Sequence, residues 1–153
     1  TIGAFLFNIY VFSKATNINV IPDELYHYRK PQHETLASAY NPDFFNLCKR
    51  KYLLEKEFLA TTGSTKEENQ QIVYASYVKH LFSFFIKNKK TNANLSFKEQ
   101  LNQMEAALKD ELTIEVLNKY IPDEFILTIV SKILKTQNTT ICYILTCIAS
   151  FIF

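Results

Sequence analysis

Hydrophobic positions along the chain recur mostly at helical spacing, with one short interruption near the beginning. Over residues 2–14, Ile2, Phe5, Leu6, Ile9 and Tyr10 share one face, and Phe7 and Val11 line another. A helix apolar on most sides asks for burial on most sides, so its packing partners are expected upstream of Thr1. Residues 17–21 (NINVI) predict a short strand, and Pro22-Asp23-Glu24 a turn. Residues 25–29 (LYHYR) predict a second extended run, with Leu25, His27 and Arg29 on one face and Tyr26 and Tyr28 on the other. Residues 30–40 have no clear period and predict a loop.

From Asn41 the pattern is helical throughout. Asn41 is a good N-cap and Pro42 a good first helical residue, predicting a helix to about Thr61 with Phe44, Phe45, Cys48, Tyr52 and Phe58 inward. Thr62-Gly63-Ser64 stops it. A longer helix is predicted over about 65–88, with Glu67 and Glu68 in its first turn and Lys87, Lys89 and Lys90 at its end, a charge order that suits the helix dipole. Its expected core face is Ile72, Tyr74, Ala75, Val78, Leu81, Phe82 and Phe85. Ser96-Phe97-Lys98-Glu99 is a capping box that opens a helix to about Lys109, with Leu101, Met104 and Leu108 inward. Further helices are predicted near 113–120, near 123–136 after Pro122, and from about 139 onward.

Composition sharpens this picture. Two Gly and four Pro in 153 residues leave little material for the turns of a many-stranded sheet. Thirteen Phe and nine Tyr without any Trp predict a core built on aromatic rings. A net charge of +2 gives no reason to expect a nucleic-acid partner. Cys48, Cys142 and Cys147 are odd in number and lack metal-ligand spacing, so reduced, buried thiols are expected. Residues 2–12 lack the basic leader and cleavage site of a signal peptide. The apolar run 141–153 is shorter than the ~20 residues of a bilayer span; it can open a span, lie on a membrane or pack in a core. The expected fold is therefore mostly α, in two parts: residues 1–40, an incomplete α/β tail with one helix and two short strands, and residues 41–153, an all-helical extension.

The chain holds no Gly-rich phosphate loop, no nucleophile elbow and no Asp-x-Asp pair, so no complete catalytic constellation is expected within it. The informative segment is residues 18–38, INVIPDELYHYRKPQHETLAS. Its core, Ile21-Pro22-Asp23-Glu24-Leu25-Tyr26-His27-Tyr28-Arg29, resembles the segment that closes the catalytic domain of family 2 glycosyltransferases of the GT-A fold. There a Glu-Asp pair, an apolar helix and a strand precede the Leu-Tyr-x-Tyr-Arg string. By that register the helix at 2–14 is the one after the Glu-Asp pair, which is expected just before Thr1. The helical remainder resembles the C-terminal extension of bacterial members that build surface polysaccharides, through Asn41-Pro42-Asp43-Phe44-Phe45 and Leu95-Ser96-Phe97-Lys98-Glu99.

The resemblance implies an inverting sugar transfer from a nucleotide-sugar donor to a glycan or lipid-linked acceptor, in the cytoplasm or at the inner face of the plasma membrane. It implies a divalent cation, Mg2+ or Mn2+, bound by an upstream Asp-x-Asp, and a catalytic base in the upstream Glu-Asp pair. No catalytic or metal-binding residue is assigned within this chain. What the chain would supply is a lid on the donor diphosphate. Arg29 matches the family position, where a guanidinium fork suits two diphosphate oxygens. His33 is a second donor candidate and Thr35 the nearest hydroxyl. Members commonly carry a serine five residues after the Arg, where this chain has Glu34; either the loop has gained a residue or the hydroxyl contact is lost. The competing expectation is a non-catalytic helical interaction module, or one that touches a membrane through the apolar run at its end.

Overall fold

The computed structural model describes residues 2–19, 21–22, 40–89 and 93–152. Seven helices account for all the regular structure among them. The chain divides into two compact units, Thr1–Ala39 and Tyr40–Phe153.

In the first unit the described element is α1 (Ile2–Lys14), ending in Lys14 at the carbonyl end of its dipole. The strand expected over residues 17–21 is not formed: residues 17–19 and 21 are irregular. A strand needs a ladder partner, and no extended neighbour exists among the described residues; Pro22 also removes a donor just past the run. The second expected strand, residues 25–29, lies outside the described residues. The fold is therefore all-helical where it is described, and the α/β tail with two short strands is corrected accordingly.

The second unit holds α2 (Phe44–Thr61), α3 (Glu67–Asn88), α4 (Phe97–Leu108), α5 (Glu111–Lys119), α6 (Phe125–Lys135) and α7 (Thr139–Ile152). The expected caps explain most boundaries. Ser96 accepts from the Glu99 backbone N–H while the Glu99 carboxylate accepts from the Ser96 N–H, closing the capping box. Those hydrogen bonds, from the Ser96 hydroxyl first and its N–H second, hold the Glu99 carboxyl below its usual range. Gly63 sits at φ +67, and the Ser64 and Gly63 N–H groups donate to the Leu59 and Ala60 carbonyls, a Schellman stop. The start of α2 falls later than Asn41 predicts. Asn41 Oδ1 accepts from the Asp43 N–H, so Asn41 caps a turn and Asp43 takes the N-cap position.

α3 is the centre of the unit, in contact with α2, α4, α5, α6 and α7. Its buried arc is Val73, Tyr74, Tyr77, Val78, Leu81, Phe84 and Phe85. Ile72, expected inward, is 67% exposed, because it projects from the side opposite that arc. Aromatic rings join α2 to α3. Tyr52 meets Tyr77 edge-on at 5.4 Å and stacks on Tyr74 at 6.3 Å, while Phe45 stacks on Phe84 at 5.6 Å. Polar contacts set the register of α5. The Tyr77 and Thr113 hydroxyls are hydrogen-bonded at 2.7 Å in the interior. The Gln71 amide spans the end of α5, donating to the Lys119 carbonyl and accepting from the Ile121 N–H. Asp110 caps α5 and pairs with Lys49 of α2 at 2.7 Å.

Leu81→Ala removes a fully buried side chain from the arc of α3, and is expected to cost ~2–5 kcal/mol in urea unfolding. Ile72→Ala on the same helix should cost less than ~1 kcal/mol. Equal losses would contradict the orientation of α3.

Candidate functional site

Arg29, His33 and Thr35, the residues expected to face a donor diphosphate, all lie outside the described residues, as does His27. The polar constellation that the structure does bring together sits between α2 and α3. Lys51 Nζ donates to Glu55 Oε1 and to Ser76 Oγ, both at 2.6 Å. Ser76 Oγ also approaches Glu55 Oε1 at 3.4 Å. His80 Nδ1 is 2.6 Å from the Ser76 carbonyl, one turn back on α3, which makes Nδ1 the protonated nitrogen. The Lys51 and Glu55 side chains are only about one-sixth exposed, at 17% and 15%.

Helical periodicity builds this group. Lys51 and Glu55 are four apart on α2, and Ser76 and His80 are four apart on α3, so each pair stacks on one face. The tyrosine pairs bring the two faces together. Burial is the first influence on His80; it pushes the imidazole below 6.5, and the nearby Lys51 and Lys87 charges act in the same direction. The Ser76 carbonyl and Glu55 oppose it. Chemically, Lys51 spends its protons on the carboxylate and the hydroxyl. The group therefore cross-links α2 to α3 through charge-assisted hydrogen bonds. The sequence analysis singles out none of Lys51, Glu55, Ser76 and His80 as a site residue. The two four-residue spacings were the available signal.

The thiols divide by environment. Burial pushes Cys48 up to about 12, against the partial opposition of Lys87 and Lys51, and pushes Cys142 up to about 11. Cys147 is only half-buried, contrary to the expectation of burial, and its sulfur is in contact with Lys89 Nζ. The Lys89 ammonium also lies over the Tyr143 ring at 4.1 Å. Desolvation draws the Lys89 pKa down, but its hydrogen bonds to Cys147 and Tyr143 outweigh it and leave the net shift upward. Among the described residues no group of three or more His, Cys, Asp or Glu side chains could hold a metal ion. Among the same residues no helix is long and apolar enough to cross a membrane. The chain matches no protein-family model, no curated protein and no solved structure.

Two measurements follow from these environments. His80 has its folded pKa below its unfolded value of 6.5, so the unfolded chain binds more protons in the acid range. Stability contributed by the neutral imidazole is present above 6.5 and is lost as pH falls toward the folded pKa. His80→Gln should flatten that part of the stability–pH curve, read by denaturant melts between about pH 5 and 7.5. In thiol alkylation at pH 8, Cys147 should react in the folded chain, and Cys48 and Cys142 only after unfolding. Rapid native labelling of Cys48 would contradict its burial.

Proposed function

We propose that this chain is the C-terminal part of an inverting family 2 glycosyltransferase acting in bacterial surface polysaccharide synthesis. The observation that carries the reading is the string Ile21-Pro22-Asp23-Glu24-Leu25-Tyr26-His27-Tyr28-Arg29, placed after an apolar helix and before a helical extension. The position of α1 (Ile2–Lys14) directly ahead of that string supports it.

On this reading the substrates are a nucleotide-sugar donor and a glycan or lipid-linked acceptor at the cytoplasmic face of the membrane. The divalent cation and the acceptor base belong to segments that precede this chain, and no residue here is assigned to either. The chain's own contribution is ionic. Arg29 donates two parallel hydrogen bonds to the diphosphate, neutralising charge that grows on the leaving group as the glycosidic bond breaks. His33 and Thr35 add donors from the same loop. The helical unit carries no step of the chemistry.

The first test is the coding sequence immediately upstream of Thr1. A Glu-Asp codon pair there, with an Asp-x-Asp farther upstream, is the expected result; an unrelated domain overturns the reading. In the full-length enzyme, Arg29→Ala should weaken donor binding or transfer by ~2 kcal/mol or more, the scale for a lost charge-assisted contact. The readouts are nucleoside-diphosphate binding by calorimetry and sugar transfer, with circular dichroism confirming the fold. Unchanged kinetics in a folded variant would remove Arg29 from the site.

A further inference from the structure

Two different nucleophiles meet where the end of α3 lies against α7. Lys89, the C-cap residue of α3, has its Nζ in contact with the Cys147 sulfur, and the same ammonium lies over the Tyr143 ring at 4.1 Å. Tyr143 and Cys147 are four apart on α7, so they neighbour each other on one face. The contact is braced from both helices. Phe97 of α4 meets the Tyr143 ring edge-on at 5.1 Å. On α3, the buried Asn88 donates from its amide to Gln103 at 2.8 Å, and the Lys89 N–H closes the last turn on the Ile86 and Lys87 carbonyls. Cys147 is also the one thiol of three that solvent reaches: Cys48 and Cys142 are buried and Cys147 is half-buried.

We propose that Lys89 and Cys147 form an oxidative modification site, at which a hydroperoxide converts their contact into a covalent bond between Nζ and Sγ. The reaction has two steps. In the first, the Cys147 sulfur attacks one peroxide oxygen and the O–O bond breaks. Lys89 Nζ, an ammonium at neutral pH, gives a proton to the departing hydroxide, which leaves as water, and the S–H proton passes to solvent. Sulfur is oxidised by two electrons to a sulfenic acid, and the peroxide is reduced. The same step leaves Nζ as a neutral amine beside the new S–OH. In the second step the Nζ lone pair attacks sulfur, the S–O bond breaks, and the hydroxyl leaves with a proton from Nζ as a second water. The sum is one thiol, one ammonium and one hydrogen peroxide giving one N–S bond, two waters and one proton. Sulfenic acids already condense in this way with backbone nitrogen. Contact between Nζ and Sγ makes the condensation intramolecular, so it outruns attack by a second peroxide. The product joins α3 to α7 across a sequence separation of 58 residues, and it is reversible by thiols, as a sulfenic acid is.

The site stands apart from the transferase reading, because it uses the helical unit alone. The test is mass spectrometry of the folded 153-residue chain after treatment with hydrogen peroxide. The expected product has lost two hydrogens, resists trypsin at Lys89, and yields one pair of joined peptides, one holding Lys89 and the other Cys147. Dithiothreitol should restore the original mass. Closing so long a loop should also raise the urea midpoint of the oxidised chain, and reduction should return it. Lys89→Met removes the amine, and Lys89→Arg keeps a cation over Tyr143 without a primary amine. In either variant the bridged fraction should fall by about 100-fold or more, with Cys147 accumulating as a sulfenic acid that dimedone traps. Circular dichroism checks both folds, and the arginine variant carries the test where the methionine variant does not fold. Oxygen gained at Cys147 of the natural chain without a bridge overturns the proposal. A bridge to a different lysine overturns it too, as does a disulfide between Cys142 and Cys147 that accounts for the lost hydrogens.

Discussion

Burial of one arc of α3 is the contact on which the helical unit depends. That arc, from Val73 to Phe85, meets five other helices. α4 to α7 have 9 to 14 residues, too few to persist alone in water, so each takes its stability from the apolar face it lays on α3 or on a neighbour. The aromatic content supplies the volume. Phe45, Tyr52, Tyr74, Tyr77 and Phe84 fill the space between α2 and α3 that aliphatic side chains would need more residues to fill. Tyrosine brings a requirement with its size, which Tyr77 meets by pairing with Thr113.

Polar groups decide geometry where the apolar face is indifferent to rotation. The Gln71 amide and the Tyr77 hydroxyl each accept only one register of α5. The group of Lys51, Glu55, Ser76 and His80 acts similarly across α2 and α3, and its directionality restrains sliding along the tyrosine contacts. The α6–α7 side differs. Its inner faces bury Ser131 and Thr146 among apolar residues, and its outer face carries exposed Ile126, Ile129, Ile141, Ile144 and Ile148.

The helices were legible because their signals are local. The capping box at Ser96, the glycine stop at Gly63 and the recurrence of apolar residues each operate within a turn or two, and the structure places helices there. The short strand was not legible, because NINVI has strand propensity but strand formation depends on a partner that propensity cannot report. Ile72 was misplaced for a related reason. α3 is apolar around much of its circumference, so periodicity leaves the centre of the buried face uncertain by one residue until its neighbours are known. The site residues Arg29, His33 and Thr35 rest on a sequence string. The Lys51 group needed two helices to be brought together before its members became a group at all.

The order of elements along the chain gives the central helix an unusual history. α2 and α3 are joined by a five-residue span that includes Gly63 and can pair as soon as both exist. α7 does not begin until residue 139, about fifty residues after α3 ends. At a synthesis rate of roughly 5–20 residues per second, the part of α3 that α7 will cover stays open for several seconds on a growing chain. Apolar surface held open that long is exposed to aggregation, and the length of that exposure is set by the spacing of the helices and not by the final stability.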